Sequence, residues 1–114
     1  MFKDASTIEE WRKAYDPRVN LDTYANMVFL QNRYQSLGVM LREGVISPEM
    51  LFQLFNPASI MIAWEHYKVF IFYRREHDDQ PNLFDGFEYL AQEARKMLPD
   101  FSPEKPDWDR FKSS

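Results

Sequence analysis

The chain has 114 residues, a net charge of −4 and no cysteine, so it is long enough to bury one core without covalent staples. Disulfides, thiolate metal sites and cysteine nucleophiles are excluded, which is compatible with a reducing cytoplasm. The acidic balance and the scattered basic residues argue against a nucleic-acid binder, which normally carries a basic stripe.

The opening stretch MFKDASTIEEW has no apolar core segment, so no signal peptide is expected. No uncharged apolar run of about 18 residues occurs anywhere, so no spanning helix is expected either. Ser6 stands three residues before Glu9, the spacing of a capping box, and predicts a first helix from about Thr7 to Tyr15. Asp16-Pro17 and Asn20 are both suitable openers of a second helix, over about Leu21 to Glu43. In that helix Met27, Leu30, Tyr34, Leu37 and Leu41 alternate three and four apart and share one stripe. Gly38 lies beside the stripe. A glycine inside a helix costs about 1 kcal/mol relative to Ala, so the close approach of a neighbouring helix is the expected compensation. Gly44 suits a left-handed C-terminal cap.

Ser47-Pro48-Glu49 supplies a cap, a first-turn proline and an acid at the positive helix end. It opens a short third helix carrying Met50, Leu51, Leu54 and Phe55. Asn56-Pro57 repeats the device and predicts a sharp corner into a fourth helix that runs to about His77. Gln80-Pro81 breaks the chain, and Asn82 is expected to cap a fifth helix to about Leu98, with Leu83, Phe87, Leu90, Ala94 and Met97 on its stripe. After Pro99 the periodicity stops. Residues 1–98 therefore read as a single helical domain, and 99–114 as a Pro-rich extended tail that Trp108 and Phe111 are placed to pin. The fold class is all-α: a compact irregular bundle of four main helices plus a short connecting one.

Three Trp, six Tyr and ten Phe make 17% of the chain aromatic, and such side chains dominate core and interface energetics. Five of them fall in the fourth helix. At 100° per residue, Ile60, Ala63, Trp64, Tyr67, Phe70 and Ile71 form one broad apolar face. Ile62, Val69 and Tyr73 form a second, roughly opposite. Glu65, Lys68, Arg75 and Glu76 share the remaining arc with Met61 and Phe72. A helix apolar on most of its circumference is central in its domain or meets a partner. Either neighbouring helices cover the second face, or Met61, Ile62, Val69, Phe72 and Tyr73 form an interface, most simply with a second copy around a two-fold axis.

Sites for chemistry are sparse. His66 and His77 lie eleven residues apart on one helix, about 16 Å, and cannot share a metal ion. Neither the Glu-x-x-His nor the His-Glu-x-x-His pattern occurs. The Arg75–Asp79 run reads as a solvated helix end. His66 beside Glu65 is a formal acid/base pair, but an imidazole bonded to Tyr or backbone at a core margin is the simpler reading. Ser102 and Lys105 match a Ser-x-x-Lys pattern by letter only, in a Pro-rich stretch without the rigid helix start that chemistry needs. No phosphate loop or dinucleotide fingerprint is present. The acidic residues after Arg74-Arg75 weigh against stacking on single-stranded nucleic acid, and Trp64, Tyr67 and Tyr73 with Lys68 and the Arg pair are a weaker match to a membrane surface than to a core or protein interface.

The stretch from Leu37 to Glu76 resembles a family of small helical prokaryotic domains known only as a domain of unknown function. The likeness rests on Gly38 in a Leu-Gly-x-x-Leu run, on Gly44 before Val45-Ile46-Ser47-Pro48, on the short Leu/Phe helix, and on Trp64 ahead of a long helix ending in Arg74-Arg75. YDPRVN upstream is similar too, so the resemblance extends from Asp16 to about Leu90. It implies a helical fold and no reaction. The resemblance implies that relatives often carry a membrane-spanning segment before this domain, and none is expected in this chain.

The expected function is accordingly non-enzymatic, without cofactor or metal: a cytoplasmic protein–protein interaction module, a homodimer or a small accessory subunit of a larger assembly. The alternative is a small-molecule binding protein whose aromatic pocket is lined by Tyr34, Trp64 and Tyr67.

Overall fold

The computed structural model describes residues 8–18 and 20–103, the side chains at 8 and 12 excepted. These residues form five helices and no strand: α1 (Ile8–Tyr15), α2 (Leu21–Arg42), α3 (Pro48–Leu54), α4 (Pro57–His77) and α5 (Asp85–Met97). Side-chain caps set most boundaries. Asn20 Oδ1 accepts from the Thr23 N–H at 3.2 Å, so Asn20 caps α2, while Asp16 forks onto the Arg18 guanidinium. At the far end Gly44 takes a φ of +78°. There Gly44 and Val45 donate back to the Leu41 and Met40 carbonyls, closing the left-handed cap. Ser47 Oγ accepts from Met50 N–H and Asn56 Oδ1 from Ala58 N–H, each with proline at the next position. The chain thus turns from α3 into α4 within two residues. The expected pairing of Ser6 with Glu9 lies outside the described residues.

The start of α5 departs from expectation. Residues 81–84 form turns, Asn82 gives only its carbonyl to the Asp85 N–H, and the helix begins at Asp85 after Phe84, whose φ is +55°. The cap comes instead from another helix. Gln35 of α2 accepts the Phe87 N–H on Oε1 and donates from Nε2 to Asp85 Oδ1, both at 3.0 Å. A cap borrowed from fifty residues away leaves no local pattern to read. That Gln35 bond, reinforced by Arg42 at 3.5 Å, holds the Asp85 carboxyl below the usual carboxylate range. Leu83 consequently precedes the helix and Met97 is exposed. Phe87, Leu90 and Ala94 keep the core stripe, with Gly86 and Ala91 beside them.

The closest helix pairing is α2 along α5, and two glycines make it possible. A Cβ at Gly38 would land on the Gly86 carbonyl, and one at Gly86 would sit 2.6 Å from the Gln35 carbonyl oxygen. The two backbones therefore touch, which bears out the expectation for Gly38. On one side of this crossing lies an aromatic half-core of Trp11, Tyr15, Met27, Tyr67, Ile71 and Phe87. On the other lies an aliphatic half-core that includes Leu41, Leu51, Ile60, Met61, Leu90 and Ala94. Tyr34 and Trp64 pack against both. Each fully buried Leu, Ile or Phe contributes about 1.5–3 kcal/mol.

Met61 was expected at an interface and is instead 3% exposed in the aliphatic half. The reason is α5, which covers this arc of α4 with Leu90 and Ala91 and bonds across it through Arg75 and Glu88 at 2.9 Å. On α3, Leu51 is buried while Met50 and Leu54 are exposed. Beyond α5 the chain folds back: Arg95 Nη1 donates to the Phe101 carbonyl at 2.7 Å, Phe101 packs on the aliphatic half and Pro103 is buried. Trp108 and Phe111 lie outside the described residues.

Candidate functional site

The chemistry-bearing side chains meet where α1 lies against α4. Trp11 stacks on Tyr15 at 4.9 Å and on Phe70 at 5.6 Å, and this brings the Tyr15 O–H within 2.8 Å of His66 Nε2. For Tyr15 to donate, Nε2 must be the unprotonated ring nitrogen. Burial favours that state: it lowers the His66 pKa and raises that of Tyr15. The pair is therefore a neutral hydrogen bond between two helices. Glu65 does not join it. Consecutive helical residues point about 100° apart, and Glu65 pairs with Lys68 at 2.9 Å. His77 stacks on Tyr73 and contacts Asp78. Among the described residues, no group of three or more His, Asp and Glu side chains is arranged to hold a metal ion.

A pH dependence follows from His66. In the unfolded chain it takes up a proton below about pH 6.5, whereas the buried ring resists protonation. Its contribution to stability is complete above that value and is lost as pH falls through the folded value. Urea midpoints at about pH 7.5 and about pH 5.5 should fall further for the wild type than for His66→Gln. Equal losses would contradict the buried neutral imidazole.

The three residues expected to line a pocket gather around the Phe87 ring rather than a hollow common to all three, and Trp64 alone borders an open one, of about 420 Å³, with Glu65, Lys68 and Arg95. Tyr67 is buried, and the rings of Tyr34 and Trp64 close on Phe87 at 5.2 and 5.1 Å. An aromatic hollow of about 390 Å³ lies elsewhere, lined by Trp11, Tyr15, Tyr24 and Phe70 with Asp16 and Arg18 at its rim. It depends on how α1 rests on α4, which no periodicity encodes.

Among the described residues, α4 and α2 both leave apolar side chains exposed. On α4, Val69 is 41% and Phe72 43% exposed, while Ile62 and Tyr73 are half-buried. Trp64 meets the Phe72 ring edge-on at 5.8 Å, and the Arg75 guanidinium lies 5.3 Å over it. The strip is thus narrower than expected, with the Glu65–Lys68 pair beside it.

The larger surface is the outward side of α2. Leu21 is 64% and Phe29 67% exposed. With Ala25, Val28, Asn32 and Ser36 they line a shallow apolar depression. From Thr23 to Asn32 the helix carries no charged residue. The inward stripe from Met27 to Leu41 drew the sequence reading to one side. The outward stripe repeats the same three-and-four spacing half a turn away and was legible by the same rule.

No helix among the described residues is long and apolar enough to cross a membrane. Over residues 2–94 the chain matches the model of a family described as a domain of unknown function (DUF4760), a span wider than the residues that carried the resemblance. No curated protein and no solved structure matches it.

Proposed function

We propose, for a chain that belongs to the DUF4760 family, a non-enzymatic role as a helical protein–protein interaction module, self-associating or serving as a small subunit of a larger assembly. The observation that carries this reading is the outward face of α2. A helix at a protein surface ordinarily turns charge to solvent, whereas this one turns Leu21 and Phe29 outward and carries no charged residue from Thr23 to Asn32. Contiguous apolar surface of that kind marks contact sites. Val69 and Phe72 on α4 offer a second, smaller contact. A cytoplasmic setting belongs to the same reading and is compatible with a chain that has no cysteine.

Photo-cross-linking in cells tests it. A photoreactive residue at position 29 should capture a protein, whereas the same residue at exposed Lys96 should not. No adduct at position 29 or at position 69 would overturn the reading.

The hollow beside Trp11 favours a second reading, a small-molecule binding protein. An aromatic ligand seated there would change Trp11 emission, and the change would be lost in Tyr24→Ala.

A further inference from the structure

Two charged side chains border the outward face of α2: Asp22 at its start and Arg33 eleven residues on. On the helical wheel both fall within about 40° of Phe29, on the same edge of the apolar stripe. Along the axis they are about 16.5 Å apart, too far to pair with each other. Both are exposed, and neither makes an ion pair among the described residues. The Arg33 guanidinium lies 4.9 Å over the Phe55 ring, which leaves its charge without an acid.

We propose that this face binds a second copy of the chain, α2 against α2 and antiparallel, about a two-fold axis passing between residues 27 and 28. The proposal rests on the interaction-module reading and names its partner. A two-fold axis makes every contact reciprocal. Centred there, it brings Asp22 level with the partner's Arg33 and Arg33 level with the partner's Asp22, so both unpaired charges are met at once. The same axis carries Phe29 to the level of residue 26, against the partner's Ala25, whose single methyl leaves room for a ring. Parallel pairing would carry this edge to the opposite side of the partner helix and leave both charges unmatched. A second copy supplies both countercharges from the same pair of residues.

Sedimentation equilibrium at low micromolar concentration, with circular dichroism to confirm folding, is the test. The wild type should be a dimer. Asp22→Arg and Arg33→Asp should each weaken the dimer by about tenfold or more, because each sets like charges together twice. An equimolar mixture of the two variants should restore association, since in the mixed dimer an arginine faces an aspartate at both positions. A mixture no tighter than either variant alone would overturn the antiparallel face. So would a wild-type dimer insensitive to both reversals and abolished by Val69→Glu, which would put the interface on α4. A monomeric wild type would overturn self-association, and cross-links from position 29 to a different protein would then leave the interaction-module reading standing.

Discussion

Trp11→Ala should cost about 3–5 kcal/mol, enough to unfold a domain of ordinary stability. The ring is almost wholly buried and touches Tyr15, His66, Tyr67 and Phe70, with centroids 4.9 to 5.8 Å away. It is also the main tether of α1. A helix of eight residues is marginal alone, so removing the ring releases the helix as well as opening a cavity. Denaturant melts should show the loss together with reduced helicity. A cost below about 1 kcal/mol would mean that α1 is held by something else.

The glycine crossing gives the second large effect, and here the sign is the test. In an exposed helix, glycine to alanine stabilises by about 1 kcal/mol. At Gly38 the new methyl would meet the Gly86 carbonyl, backbone that has no rotamer to escape into. Gly38→Ala should therefore destabilise by about 1–3 kcal/mol, and Gly38→Leu by more. Gly86→Ala should do the same through the Gln35 carbonyl. A more stable Gly38→Ala would contradict the contact of α2 with α5.

What the sequence disclosed was what neighbours along the chain decide. Asn20, Gly44, Ser47-Pro48 and Asn56-Pro57 cap and turn through bonds to residues a few positions away, and each stands where it was expected. Gly38 was readable because a glycine inside a strong helix needs a reason. The cap of α5 was not readable, because Gln35 supplies it across the crossing and a glutamine in mid-helix carries no capping signal. Met61 was misassigned for a related cause: the wheel shows which residues share an arc of α4, and only the docking of α5 decides which arc is covered. The two faces of α4 are legible because both are built of large apolar side chains. The two-faced α2 reads as one-sided because its outer stripe mixes Leu21 and Phe29 with Ala25, Asn32 and Ser36.

The site on the partner that a photoreactive residue at position 29 captures bears most directly on the claim that α2 is the contact surface. Purified chains labelled with light and heavy nitrogen, mixed and irradiated, distinguish a link between copies from one within a copy. Antiparallel pairing about residues 27 and 28 puts position 29 about 5 Å along the axis from its own counterpart, so the mixed-label adduct should join α2 to α2, with the attachment near residues 25 and 26. Attachment within α4, or no mixed-label adduct at all, would contradict it.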